Sequence, residues 1–491
     1  MNILQDAKQA FPNLEILNLT DNYKDMGLHK HIFQNNPPWR RTRASGLYAK
    51  GFRNRKLLNA AKVICDEFSA MTFSEQVEIT LDNEAYQEYI NSVLNKTGFW
   101  CKFPEILSYA YAMGGCALKI YADNSKPMID YVQAEHFLPI GWTGETVTEC
   151  VFLTTSYKNG NYYTLMEKHG TNKKGITVIE NSAYKSSIKD SLGTKCAVSE
   201  MFPSLTDYIT YDNIQIPMFC YFKPCVSNNI EMDSPLGLSV FANAVDTLET
   251  LDIAFDSFSR EFILGKKRII VPAQCIRTVV DPLTNSMRRY FDADDEAFIA
   301  LKTEENETLK ITDNTTELRI EEHVSAINAL LNILCFQIGL SAGSFSFDSV
   351  QGMKTATEVI SQDSKTARTI KSNKNIITEM LEQLVHSLIA LGTALDLIPV
   401  KEYAVTVGWQ DNIIIDDNTL IDNNIKLTQA GLKSKLNAIM EVQKCDEETA
   451  QQELDRISKE QSVTGIDIDD FLNGGENNDK TGDDAAQSKS E

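Results

Sequence analysis

Residues 234–265 read SPLGLSVFANAVDTLETLDIAFDSFSREFILG. Phe241, Val245, Leu248, Leu251, Phe255, Phe258 and Phe262 recur at spacings of three and four, the repeat of one face of an α-helix. Ser234-Pro235 has the form of a helix start and Gly265 that of a stop. The stretch predicts one long helix over 234–265. Residues 320–340 repeat the pattern with Ile320, Val324, Ile327, Leu331, Leu334 and Ile338. Between them, 268–271, 289–291, 297–301 and 309–312 read as strands, with turns at Asp281-Pro282 and Glu304-Glu305-Asn306. Two long helices around a small β-rich insertion predict a rod with a tip. Their apolar stripes pack against each other or against a neighbour's.

Downstream, 341–354 reads SAGSFSFDSVQGMK. It is too rich in Gly and Ser for a helix, and its terminal glycines fit hinges. Residues 355–395 read as one helix without proline. Its first third is polar almost all round, with Lys365, Arg368, Lys371 and Lys374 at every third residue. Such a helix needs water or charged partners about it. Residues 403–409 and 413–415 read as strands, and 428–440 and 446–459 as helices. The acidic tail 466–491 has too few apolar residues to fold.

Upstream, residues 1–60 are polar and read as loop-rich. They end in a basic cluster of Arg40, Arg41, Arg43, Lys50, Arg53, Arg55, Lys56 and, just beyond, Lys62. Such a cluster binds phosphates or pairs with acids of the same or a neighbouring subunit. Residues 57–68 and 103–112 read as helices, the second closed by Gly114-Gly115. Alternating runs at 117–121, 128–132, 150–155 and 162–167, with Asp123-Asn124 and Lys158-Asn159-Gly160 between them, predict antiparallel hairpins. The fold class is α+β.

The chain has 491 residues, and 47 Lys+Arg against 68 Asp+Glu set its net charge at −21. That balance argues against a protein that coats duplex nucleic acid. Asp246, Glu249, Asp252 and Asp256 fall within about 120° of one another on the first long helix. They are either a solvated face or a wall that repels a polyanion. No apolar run reaches membrane length. The scattered cysteines, with only Cys220 and Cys225 close together, predict free and mostly buried thiols. His29 and His31 either share one strand face or form a surface pair, and the surface pair fits better. No phosphate-cradling or metal-binding motif stands out, so neither a cofactor nor a bound metal is expected. Asp292, Asp294, Asp295 and Glu296 fit a solvated turn better than a Mg²⁺ site for a nuclease.

Several words of this chain, in order, resemble the portal proteins of Gram-positive siphophages. They are NAAKVICDEF at 59–68, IDYV at 129–132, SPLGLSVFANA at 234–244 and FILGKKRI at 262–269. GLSAGSFSFD at 339–348, followed by KTATEV at 354–359, is the strongest. The resemblance runs from roughly residue 60 to residue 460, and the ordered set is more specific than any one word.

The resemblance implies a dodecameric ring at one capsid vertex, with a central channel for packaging and ejecting double-stranded DNA. Residues 1–233 would be mostly wing, 234–265 and 320–340 the stem helices, and 266–319 the clip. The clip would face the terminase large subunit and later the head–tail adaptor. Residues 341–354 would be the tunnel loop, with Ser344, Phe345, Ser346, Phe347, Asp348 and Lys354 towards the DNA. Residues 355–399 would be a long channel and wing helix, and 400–465 would complete the wing and form a helical crown. The acids of the first long helix, with Lys365 and Arg368, would line the channel. Arg40, Arg41, Arg43, Arg53 and Arg55 would lie at subunit interfaces. Partners would include the major capsid and scaffolding proteins, with no membrane. The place would be the virion, after assembly in the host bacterial cytoplasm, and no enzymatic activity is implied. The other readings are a monomeric virion scaffold and the nuclease.

Overall fold

The two predicted hairpins form because their turns accept positive φ. Asn124 and Ser125 sit at φ 48° and 61°, and Asn159 and Gly160 at 52° and 78°. Two consecutive left-handed residues match the twist of paired strands. In this computed structural model, Cys116–Asp123 pairs with Lys126–Gln133, and Thr146–Lys158 with Asn161–Thr171. The structure describes residues 3–464 except 13, 15–18, 44–50, 74–76, 145, 204, 212, 266–268, 273–277, 281–286, 290–297, 302–311, 314–316, 347–355, 410–416, 444 and 446.

The chain divides into two compact units, Met1–Trp409 and Gln410–Glu491. In the first, an antiparallel sheet runs from Phe137–Thr143 through Thr146–Lys158, Asn161–Thr171 and Thr177–Ser186 to Thr194–Cys196. A second sheet joins Cys116–Asp123 to Lys126–Gln133 and Phe219–Phe222. Helices Ala60–Phe73 and Phe99–Met113 pack on each other and on the core. Phe68, Phe99, Phe103, Tyr111, Phe137, Phe152, Phe219 and Phe241 are fully buried there. Strand Val405–Trp409 returns across more than 300 residues to pair with Val77–Leu81. The architecture is α+β, as expected.

Several expectations need correction. Residues 1–60 are not mostly loop, because Ile3–Ala10 and Thr20–Phe33 are helices that bury Ile3, Leu4, Ala7, Met26 and Ile32. His29 and His31 lie on the second of these helices, not on a strand. His29 is buried edge-on against Phe241, 5.4 Å between ring centroids. The first long helix spans Val245–Leu264 rather than 234–265. Residues 234–241 are a buried loop, and Ala242–Ala244 a single 3-10 turn. Ser234-Pro235 therefore does not start a helix. Its neighbours Leu236, Leu238, Val240 and Phe241 go into the core instead.

The second long helix is Ile320–Ile338, ended by Gly339 at φ 83°. The third is Ala356–Ala394, 39 residues long, or about 58 Å at 1.5 Å per residue. Strands at Ile269–Pro272, Thr278–Val280, Met287–Arg289, Phe298–Leu301 and Thr312–Asp313 make the insertion β-rich. One pairing, Ile269–Pro272 with Phe298–Leu301, is parallel.

In the second unit, helices Asp417–Gln429 and Lys435–Gln443 replace the single helix read at 428–440. Gly431 at φ 70° breaks it. Glu447–Thr464 is the last helix described. The strand read at 413–415, the tail 466–491 and the acids Asp292, Asp294, Asp295 and Glu296 lie outside the described residues.

Candidate functional site

The two long helices lie side by side and antiparallel. At one end Arg319 donates from Nε and Nη2 to Glu261 at 3.1 and 3.0 Å. These bonds hold the Glu261 carboxyl down at about 2. One turn away, the Phe258 and His323 rings are 5.9 Å apart. Of the two alternatives the spacing left open, the helices of one chain pack on each other, while Phe262 and Ile320 of the two stripes stay exposed.

The acidic face of the first long helix is not a free wall. Residues 36–43 and 51–58 lie along it as a strap, with a short hairpin of Arg41–Arg43 and Phe52–Asn54. Trp39 Nε1 donates to Asp252 Oδ2 at 2.8 Å, and the Leu58 amide to Asp252 Oδ1 at 3.0 Å. Arg53 donates through both terminal nitrogens to the two Asp256 oxygens, at 2.8 and 2.5 Å. The Lys56 amide adds a third bond to Asp256 at 3.1 Å. Arg55 Nη1 lies 3.9 Å from Glu249. The Arg53 guanidinium holds the Asp256 carboxyl below its ordinary range, whereas burial pushes Asp252 up against the pull of its donors. Of the four acids, Asp252 and Asp256 are buried, Glu249 is half-buried, and Asp246 is exposed.

The basic cluster is correspondingly divided. Arg53 and Arg55 reach the chain's own acids, and Arg55 also donates to the Trp39 carbonyl at 3.0 Å. Arg40 donates to the Asn35 carbonyl at 2.6 Å. Arg41 and Arg43 are exposed at the hairpin, with Arg41 stacked 4.5 Å from the centroid of the exposed Phe52 ring. Sequence spacing offered no sign of Trp39, whose partner lies more than 200 residues away.

A bidentate Arg–carboxylate pair with a buried acid is among the stronger polar contacts. Asp256→Ala is expected to cost about 1–3 kcal/mol of stability, since it leaves Arg53 and the Lys56 amide unpaired. Thermal unfolding checks the loss, and faster tryptic cutting between residues 40 and 56 checks that the strap is what loosens.

The Gly/Ser segment is described over 341–346. It is moored at its start to the third long helix. The Ser341 amide donates to Thr366 Oγ1 at 2.9 Å, and Thr369 Oγ1 donates to the Gly339 carbonyl at 2.7 Å. The Gly343 amide donates to Asn332 Oδ1 at 2.9 Å. The polar first part of that helix thus serves as an anchor for backbone, a role that its threonines, overlooked beside the lysines, carry. Lys365 Nζ donates to the Phe336 carbonyl at 2.9 Å and sits 4.4 Å from that ring's centroid. Lys374 stacks on Trp409 at 5.2 Å, while Arg368 is exposed.

Phe345 packs partly buried against the core, beside a cavity of about 290 Å³ lined by Leu58, Ile64, Leu331 and Leu334. Ser344 and Ser346 are exposed. Phe347, Asp348 and Lys354 lie outside the described residues. The end of the strap, the second long helix and the start of the Gly/Ser segment therefore converge on one spot. Thr366→Val/Thr369→Val removes both hydroxyl anchors. It is expected to raise amide hydrogen exchange at 339–346 by about tenfold for about 1.5 kcal/mol of lost anchoring.

Among the described residues, no group of three or more His, Cys, Asp or Glu is placed to hold a metal, and no helix is long and apolar enough to cross a membrane. The described cysteines are free thiols, with Cys65, Cys116, Cys150, Cys220 and Cys335 buried. No curated protein matches the chain. Residues 29–464 match the family described as phage portal protein, SPP1 Gp6-like. The match takes in the strap, all three long helices, the β-rich insertion and the Gly/Ser segment. The chain therefore belongs to the phage portal protein family of the SPP1 Gp6-like type.

Proposed function

We propose that this chain closes into a dodecameric ring at one capsid vertex and forms the channel through which double-stranded DNA is packaged and later ejected. Portal membership makes the chain a head–tail connector of a bacteriophage capsid with a part in DNA packaging, in a family that is structural rather than enzymatic. The observation that carries the finer reading is the arrangement of the long helices. Two run antiparallel into a β-rich insertion, and the second leads directly into a Gly/Ser segment moored on the third. In this reading the helix pair is the stem. The 269–313 strands belong to the clip, which docks the terminase large subunit and then the head–tail adaptor. Residues 341–354 are the tunnel loop. The sheets before 233 and the Val405–Trp409 strand form the wing, and the helices after Gln410 form the crown. Capsid and scaffolding proteins surround the ring in the assembling head.

A channel for moving DNA must not hold it tightly, because each neutralised phosphate adds salt-sensitive affinity. A chain of net charge −21 suits that demand. With Asp252 and Asp256 taken up by the strap, Asp246 is the remaining exposed acid of that face. Lys354, Lys365 and Arg368 are proposed as the few weak phosphate contacts. Deleting residues 344–349 is expected to leave ring assembly intact and to lower the DNA packaged per particle. Particle DNA content, measured after complementation of a portal-deficient phage, tests this. Normal packaging by the deletion contradicts the tunnel-loop assignment.

A further inference from the structure

Two surfaces of the helix pair differ in a way that ring closure can use. One side is covered by the strap, which carries exposed Arg41, Arg43 and Phe52. The strap's last residue, Leu58, reaches the Leu331 and Leu334 face of the second long helix. The opposite face of that helix is exposed over most of its length, with Lys365 over the Phe336 ring at one end. At 100° per residue, Glu322, Ala329, Ile333 and Phe336 lie within about 60° of one another and turn away from Leu331 and Leu334. Ile333 is 49% exposed and Phe336 74%, which is unusual for apolar residues in the middle of a helix. Glu322 stands at the start of this face and Glu321 about 100° to its side, both exposed.

The charges and the heights both match. The hairpin presents two arginines and an aromatic ring, whereas the exposed face presents Glu322, with Glu321 at its side, leading into an apolar stripe. Subunits of a closed ring are related by rotation without rise, so contacting patches must sit at one height along the axis. Arg53 fixes the hairpin at Asp256. Two residues on, Phe258 meets His323, which is next to Glu322. For helices lying along the ring axis, these contacts put Arg53, and with it the hairpin, near the level of Glu321 and Glu322.

We propose that the occupant of the exposed face is the strap hairpin of the next copy of this chain. Arg41 and Arg43 pair with Glu321 and Glu322, and Phe52, paired with Arg43 across the hairpin, lies beside them. The contact is heterologous, which is the type that closes into rings. The proposal rests on the ring reading above and names its surface. Arg53 and Arg55 then play a different role: they hold the strap on its own subunit so that the hairpin is presented at a fixed height.

The test uses the full-length chain. Arg41→Glu/Arg43→Glu and Glu321→Arg/Glu322→Arg are each expected to lower the ring fraction about tenfold by light scattering, like charges being juxtaposed. The four changes together are expected to restore rings. Either double variant assembling as the parent does, or the quadruple remaining unassembled with the parent's circular dichroism and melting curve, overturns the proposal. If a double variant fails to fold, the parent ring decides: loss of rings as salt rises supports the pairing, and indifference to salt overturns it. A parent that forms no ring overturns the ring reading itself, whereas parent rings with unaffected variants overturn this surface alone.

Discussion

Gly237→Ala is expected to destabilise the fold severely. A Cβ at this position would lie 2.4 Å from the Gly114 carbonyl oxygen and 2.7 Å from Lys223 Cβ. The relation is reciprocal, since a Cβ on Gly114 would lie 2.4 Å from the Gly237 oxygen, and Gly114 also holds φ 87° as the cap of the Phe99–Met113 helix. Backbone meets backbone here, so no side-chain rotation can relieve the clash. The loop must lift from the helix end, exposing Leu236 and Leu238. The cost is expected at about 3 kcal/mol or more, beyond ordinary overpacking. Gly27→Ala is the matched control. Gly27 is interior to the Thr20–Phe33 helix, with nothing within 4 Å of an added Cβ. That change is expected to stabilise by about 0.5–1 kcal/mol. Soluble yield and thermal unfolding of the two variants should move in opposite directions.

Acidification from pH 7.5 to 5.0 is expected to remove about 4 kcal/mol of stability through two buried histidines. His169 lies edge-on to Phe152 and Phe219, at 4.9 and 6.1 Å, and neither ring nitrogen has a hydrogen-bond partner. Burial, with the nearby Lys119 ammonium, pushes it down to about 3. Burial alone pushes His29 down to about 4. Both folded values lie below the ordinary 6.5, so the full stability is present above 6.5 and is lost as pH falls towards 4. Each proton taken up by the unfolded chain costs about 1.4 kcal/mol per pH unit, or about 2 kcal/mol per histidine at pH 5.0. The depressed carboxylates act mostly below this window, and Asp252, pushed up by burial, changes stability in the opposite sense. Glu135 is held near 2 by His136 and Lys30 in spite of its burial, and Asp256 is depressed by Arg53, so their losses come below pH 4. Lys119 keeps its charge through Glu167 at 2.6 Å and Asp130 at 3.3 Å. His169→Phe fills the same aromatic pocket without an ionisable group. Denaturant unfolding at the two pH values should show its acid loss roughly halved. An unchanged loss would mean that His169 is already charged or solvated at pH 7.5.

What could be read from the sequence was whatever local periodicity controls. The helix Ile320–Ile338 was legible because its apolar residues keep a period near 3.6, and the 39-residue helix because its later part does so and no proline interrupts it. The hairpins were legible because Asn124 and Asn159-Gly160 mark left-handed turns. The buried loop at 234–241 was not, because Ser-Pro-Leu-Gly has the chemistry of a helix start. The close passage of Gly114 and the burial of Leu236, Leu238 and Val240 hold the chain in a loop there. The acidic face of the first long helix was legible as a face, but its occupant lies 194 to 213 residues away in sequence. Spacing also drew attention to Lys365, Arg368, Lys371 and Lys374, whereas the anchoring falls to Thr366 and Thr369, ordinary polar residues with no pattern to single them out.

The central claim is a closed ring, and its most direct test is the mass of the purified chain in solution, followed by negative-stain images of the same peak. Twelve copies of the 55.1 kDa chain give about 660 kDa, with a hole at the centre of every particle. A sharp species at the mass of one or two chains, at both low and moderate salt and without rings, would contradict it.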